Sequence, residues 1–223
     1  MASAEKVRRY FNRNVVAFDS LYSETGPSRV MRFVNQRFRQ DIYERFRLAM
    51  DHVGEFRPNS VLDVGCGSGQ YALALVELGV RRMVGIDFSR EMIDLAIRKT
   101  HQIRQGGAEL EFVCADFMEF QTRERFDLVI AMGFFDYVKD PNVVLRKMKV
   151  LSKEFVVASF PSISVYRTPI RKIRYIVKRC PVYFYSRDDI VAFSERAGFI
   201  SEEIVKIRGS GMDYFVVFSS ETS

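Results

Sequence analysis

Near the start of the chain the apolar residues Val30, Phe33, Val34, Phe38, Ile42, Phe46 and Ala49 recur at roughly helical spacing, with Arg and Gln between them. That spacing gathers them on one face of a helix. The turn Thr25-Gly26-Pro27-Ser28 separates this helix from an earlier helical stretch around residues 6–21. Arg57-Pro58-Asn59 ends it, because proline disfavours helix in the residue before it. From Ser60 the pattern changes to short apolar runs between helical ones. Strands are predicted over Ser60–Val64, Arg81–Ile86, Glu109–Cys114, Phe126–Met132 and Glu154–Ser159. Helices are predicted over Gln70–Leu78, closed by Gly79, over Arg90–Thr100, capped by Ser89, and over Asn142–Val150. Near-continuous apolar strands alternating with helices indicate a parallel sheet covered on both faces. Ser186-Arg187-Asp188-Asp189 then matches a capping box, Gly198 stops that helix, and Phe199–Ile207 with Met212–Phe218 reads as a hairpin. The expected fold is α/β, with five parallel strands and a terminal antiparallel hairpin.

Composition changes this picture little. At 223 residues, 48% hydrophobic and 28% charged, the chain is an ordinary globular sequence. No apolar run reaches transmembrane length and the N-terminal stretch lacks an apolar signal core, so a cytoplasmic protein is expected. Cys66, Cys114 and Cys180 form neither a CxxC nor an even framework, which suits reduced thiols. With His52 and His101 as the two histidines and no Cys/His cluster, no metal is expected. The net charge of +6 is unevenly placed: from Phe155 to Arg187 there are seven Lys/Arg and no Asp or Glu.

The stretch VLDVGCGSGQYALAL, Val61 to Leu75, reads as strand, glycine-rich loop and helix. Gly65, Gly67 and Gly69 at alternate positions let backbone N–H groups line a concavity without Cβ obstruction. No Lys follows them, so this is not a P-loop, and Gln70 stands where a dinucleotide fingerprint has its third glycine. Asp63, two residues before Gly65, would repel a pyrophosphate and suits an ammonium group. Asp87 ends the second strand, where a carboxylate can accept both hydroxyls of a ribose. Asp116 follows the third strand, placed to accept from an exocyclic adenine amine, with Phe117 beside it as an apolar wall.

These segments resemble the class I S-adenosylmethionine-dependent methyltransferases. The residues that carry the likeness are VLDVGCGSG (61–69), VGIDFSREMIDLA (84–96), FVCADFMEF (112–120) and FDLVIAMGFFDYV (126–138). The resemblance implies a Rossmann-like seven-stranded sheet in the order 3-2-1-4-5-7-6, its last hairpin antiparallel, with S-adenosylmethionine (SAM) as cofactor and S-adenosylhomocysteine (SAH) as product. It implies that Gly65, Cys66, Gly67 and Gly69 approach the methionine and ribose, and that Asp87 binds the ribose hydroxyls. Phe88 and Met92 would meet the adenine side, with Met92 packed on the ring, and Asp116 would accept from its amine. Met132 and Gly133 would flank the methionine. Residues 1–58 are similar to the helical cap of small-molecule methyltransferases, which puts Tyr10 and Tyr22 in place to close over the cofactor and leaves 59–223 as the SAM-binding domain. The order of that cap and Phe-Pro-Ser (160–162) is similar to magnesium-protoporphyrin O-methyltransferases.

Methyl transfer from a sulfonium is an in-line displacement from an activated donor, so alignment supplies much of the catalysis. A general base is needed where the acceptor must lose a proton, and a carboxylate acceptor needs none. Asp136 and Tyr137, after the fourth strand, are the candidate catalytic groups. Tyr166, Tyr183, Tyr185 and Arg171 are candidates for the acceptor pocket. Thr168–Arg179 puts Ile170, Ile173, Ile176 and Val177 on one helical face with five basic residues largely around it, within a basic helical insertion at about 162–182. That helix reads either as a solvated face or as a lid over an acidic or amphiphilic acceptor, including one at an anionic membrane surface. No Asn-Pro-Pro-Tyr type motif follows the fourth strand, so DNA is not an expected partner. O-methylation of a small molecule is the expected function, beside N-methylation of a small amine or a SAM-binding regulatory or assembly protein without turnover.

Overall fold

The structure, a computed structural model, describes Val7 and residues 29–101, 107–162, 181–207 and 213–220, with side chains from residue 42 onward in the first long segment. A helix α1 (Arg29–Phe56) precedes an alternating series: β1 (Ser60–Val64), α2 (Gln70–Glu77), β2 (Arg82–Asp87), α3 (Arg90–Thr100), β3 (Glu109–Cys114) and β4 (Phe126–Ala131). It continues through a 3-10 turn (Phe135–Tyr137), α4 (Pro141–Leu151), β5 (Ser152–Phe160), α5 (Arg187–Ala197), β6 (Ser201–Lys206) and β7 (Tyr214–Ser219). The earlier helical stretch around 6–21, the 25–28 turn and the basic insertion from 163 to 180 lie outside the described residues.

The strands form one seven-stranded sheet in the order β3-β2-β1-β4-β5-β7-β6. The first five are mutually parallel, and β7 lies antiparallel to both β5 and β6. Side chains alternate between two cores because successive strand residues face opposite ways. Leu62, Val64, Val84, Ile86, Val129, Leu145, Met148 and Phe160 belong to one. Val61, Met83, Leu128, Ile130, Val157 and Phe215 belong to the other, together with Ala49 and Val53 from α1 and Tyr71 and Leu75 from α2. The last turns of α1 are seated by aromatic contacts: Phe56 stacks on Phe155 at 4.0 Å and His52 meets Phe215 at 5.0 Å.

Local chemistry explains the boundaries. Ser89 accepts from the Met92 amide and starts α3. Asp140 accepts from the Asn142 amide, so α4 starts at Pro141, where the missing N–H costs nothing. Ser186 and Asp189 close the capping box that starts α5. The hairpin is shorter than its apolar pattern suggests. Gly198 takes a left-handed φ of 81°, the Phe199 amide donates back to the Ser194 carbonyl, and Phe199 turns inward to stack on Phe218 at 4.8 Å. β6 therefore begins at Ser201 rather than Phe199. At the β2–β3 edge Arg82 pairs with Glu109, Glu111 and Glu124, so the exposed border of the sheet carries charge.

Candidate functional site

Parallel strands end on one side of the sheet, which is where open α/β sheets bind ligands. Here the order of strand ends sets the order of chemical groups. Asp116 follows β3, Asp87 ends β2, the glycine loop follows β1, and Gly133 follows β4.

The glycine loop is built by backbone. The Gly65 and Cys66 amides both donate to the Ile86 carbonyl, at 2.8 and 3.0 Å, which ties the loop to the end of β2. Gly65 has φ 76°, and a Cβ there would lie 2.8 Å from the Phe134 ring, so both conformation and space demand glycine. A Cβ on Gly69, also left-handed, would lie 3.1 Å from that of Ala96, which lets α2 start close against α3.

Asp87 organises the loop from the next strand. One of its carboxylate oxygens accepts from the Gly67 amide at 3.0 Å and the other from the Ser89 amide at 2.8 Å. Burial pushes its pKa up to about 6, against the pull of these two N–H groups. Asp63 lies within β1, paired in register with Gly85 and Ile130, and is 1% exposed. Its Oδ2 is buried without a hydrogen-bond partner. Burial, reinforced by the negative charge of Asp87, pushes the Asp63 carboxyl up to about 8. The Cys66 thiol is buried, and burial followed by Asp63 and Asp87 raises its pKa well above the usual thiol value, so it stays a protonated packing group.

At the nucleoside end, Phe88 is half-buried and Asp116 is exposed, with one Asp116 oxygen accepting from the Met118 amide at 2.8 Å. Phe117 is buried and meets Phe134 edge-on at 6.4 Å. Met92 departs from expectation: at 1% exposed it packs into the protein rather than presenting a surface to a purine.

At the other end, Met132 is half-buried and the Gly133 amide donates to Ser159 Oγ at 2.8 Å. Arg45, reaching in from α1, donates from Nη1 to the same Ser159 oxygen at 3.3 Å. That Nη1 lies 3.2 Å from where a Cβ on Gly133 would sit. A guanidinium therefore stands at the ends of β4 and β5. Arg45 and Ser159 were not singled out from the sequence. The available signal was Arg45's position on the apolar stripe of α1, three residues after Ile42 and four before Ala49.

Beyond Gly133 the chain enters the 3-10 turn carrying Asp136, 8% exposed, and the half-buried Tyr137. The Tyr183 amide donates to the Asp136 carbonyl at 2.9 Å, which brings residues 181–185 against this turn. Tyr185 is a second correction. Its hydroxyl donates to the Val138 carbonyl, its ring lies edge-on to Phe160 and Phe193, and burial raises its pKa above the usual phenol value. It is a core residue with no free face for an acceptor. Tyr10, Tyr22, Tyr166 and Arg171 lie outside the described residues.

The group these residues fit is a nucleoside bearing an amino acid. Asp63 Oδ2 is a buried acceptor lacking a donor, Asp87 keeps lone pairs beyond its two amide bonds, and the guanidinium suits a carboxylate. Among the described residues, no group of three or more His, Cys, Asp and Glu could hold a metal ion, and no helix is long and apolar enough to cross a membrane.

Residues 61–154 match a family described as methyltransferase domain. The chain is 30% identical over 131 residues to a ubiquinone biosynthesis O-methyltransferase of Actinobacillus pleuropneumoniae, covering 54% of this chain and 54% of that protein. It spans about half the length of the first curated relatives it matches. The magnesium protoporphyrin IX methyltransferase of Synechocystis, solved with SAH, superposes with a TM-score of 0.78 at 19% identity, over 96% of this chain and 98% of that one. The N-methyltransferase NodS of Bradyrhizobium japonicum, also solved with SAH, superposes with a TM-score of 0.57 at 18% identity, over 74% and 79%. Residues 61–154 thus match a methyltransferase domain, and the sheet order and fold are those of the Synechocystis methyltransferase structure.

Proposed function

We propose that this chain binds SAM along its strand ends and transfers the methyl group to an oxygen of a small, planar acceptor. The observation that carries the reading is the lateral order of charge. Two carboxylates, Asp116 and Asp87, stand at one end, Asp63 in the middle, and the Arg45 guanidinium with Ser159 at the other. Read across the sheet, that order matches adenine, ribose, ammonium and carboxylate.

When bound, SAM supplies a methyl group already activated by the sulfonium charge. The chain's residues bind and align. Asp116 accepts from the adenine amine and Asp87 from the ribose hydroxyls. Asp63 receives the ammonium, directly or through water, and Arg45 pairs with the carboxylate. Phe117 and Phe134 exclude water from the cleft, so the acceptor oxygen meets the methyl carbon in a dry, aligned site. Transfer to the acceptor oxygen would form a carbon–oxygen bond as the carbon–sulfur bond breaks, its electron pair passing to sulfur and leaving the neutral thioether SAH. For a hydroxyl acceptor, Asp136 and Tyr137, on the turn after β4, are the candidate proton acceptors.

Oxygen is favoured because the relative from Actinobacillus acts in ubiquinone biosynthesis as an O-methyltransferase and the Synechocystis neighbour is a magnesium protoporphyrin methyltransferase. Residues 1–58 and the insertion at about 162–182, with its five basic residues in 168–179, would cover an acidic or amphiphilic acceptor in the cytoplasm. The test is transfer from methyl-labelled SAM to a panel of a catechol, a porphyrin propionate and a primary amine. Label on the oxygen acceptors is expected. Label on the amine alone, or SAM binding with no transfer to the panel or to a metabolite extract, overturns the reading.

A further inference from the structure

The turn that carries Asp116 is bonded to α4 through the side chain of Lys147. Lys147 sits in the middle of α4, a helix anchored by the buried Val144, Leu145 and Met148. Its ammonium donates to three consecutive-turn carbonyls: Phe117 at 2.6 Å, Met118 at 3.0 Å and Phe120 at 2.5 Å. It also lies 5.0 Å from the centroid of the Phe117 ring. An ammonium has three donors, and here three carbonyls meet them. The other side of the same turn folds onto Asp116. Its carbonyl accepts from the Glu119 and Phe120 amides at 3.0 and 2.9 Å, while its Oδ1 accepts from the Met118 amide. Carbonyls turned to Lys147 and amides turned to Asp116 leave residues 116–120 one conformation in which both sets of bonds are made.

These five residues form a turn outside any helix or strand, and Asp116 and Met118 are exposed. The Met118 amide holds the Asp116 carboxylate directly, and Lys147 on α4 holds the carbonyls of the same turn. Charge-assisted bonds to carbonyls are the stronger kind, and three on one ammonium define a point rather than a line. Desolvation lowers the Lys147 pKa while the Asp116 charge raises it, so the two groups also sense each other.

We propose that Lys147 is a positioning residue for nucleoside recognition: by clamping the 117, 118 and 120 carbonyls it aims the Asp116 carboxylate at the exocyclic amine of the bound ligand, and so sets the preference for adenine. This rests on the SAM reading of the site. The ammonium of Lys147 bonds backbone carbonyls of the turn. It acts through Asp116 and Phe117.

A positioning role predicts lost selectivity, which loosened packing would not produce. The experiment compares calorimetric affinities of SAH and of S-inosylhomocysteine, in which a carbonyl replaces the exocyclic amine, for the wild-type chain, Lys147→Met and Lys147→Arg. Lys147→Met keeps the aliphatic stem over Phe117 and removes the donors. Wild type should prefer SAH by roughly tenfold or more, the value of one hydrogen bond to a charged group. In Lys147→Met that preference should collapse to about two- to threefold, and Lys147→Arg should recover part of it. In an Asp116→Asn background, Lys147→Met should leave the remaining ratio unchanged. Thermal melts accompany each variant. If Lys147→Met does not fold, the Arg variant carries the test through a ratio between wild type and Asp116→Asn. A full tenfold preference in Lys147→Met, or in Lys147→Arg with weakened carbonyl bonds, overturns the proposal while leaving the SAM site standing. Wild type that binds neither ligand overturns the site reading and this inference together.

Discussion

At the scale of single residues, the site stores an electrostatic conflict. Asp63 and Asp87 are held at about 8 and about 6, above the ordinary carboxylate value of 3.8. The folded, ligand-free chain therefore keeps protons that the unfolded chain releases from about pH 4 upward. The unfolded state then binds fewer protons, so stability falls as pH rises from about 4 to about 8. The melting temperature of the ligand-free protein should drop across that window, and Asp63→Asn should flatten the drop. A profile that rises or stays level for the wild type would show that Asp63 is already ionised. Placing an ammonium beside Asp63 favours its charged form, so SAM binding near pH 7 should release protons. Calorimetry in two buffers of different ionisation enthalpy measures that number directly. Arg45 gives a second residue-scale prediction. Arg45→Met should weaken SAM and SAH by about 10- to 100-fold, while 5′-methylthioadenosine, which lacks the amino acid, binds as before. Equal losses on all three would mean that Arg45 supports the fold and does not bind the carboxylate.

At the scale of elements, what was legible in the sequence was whatever depends on near neighbours. Ser89, Asp87 and the three loop glycines act within a few residues of their own strand or helix, so their positions follow from local pattern. The α5 capping box was legible for the same reason, and Ser186→Ala should destabilise the protein by about 1 kcal/mol in a urea titration. No change in midpoint would show that Asp189 alone holds that helix start. What was not legible depends on contacts distant in sequence. Arg45 meets Ser159 across 114 positions and Lys147 meets the 117–120 turn across about 30, so neither leaves a local spacing to read. Met92 and Tyr185 were misplaced for the complementary reason. The family resemblance put Met92 on the adenine and residue type put Tyr185 in the acceptor pocket, whereas the packing around each side chain turns it inward.

At the scale of the whole molecule, the site is assembled from strands that also form the core, so ligand binding and folding are linked. SAM at about a hundred times its dissociation constant should add about 2.7 kcal/mol of stability and raise the melting temperature by roughly 5–10 °C. No shift at millimolar SAM would remove the cofactor from this protein. The sheet order has a further consequence, in time. Every strand that carries the glycine loop and its carboxylates is synthesised and can pair before residue 152, but β5 gains its second neighbour only from Tyr214–Ser219. During translation the nascent chain therefore holds a nearly complete cofactor cleft beside a bare border carrying Val156, Val157 and Phe160, all buried in the finished protein. A ribosome stalled between those points would display a sticky strand for as long as it pauses, and it is there that a chaperone would have its work.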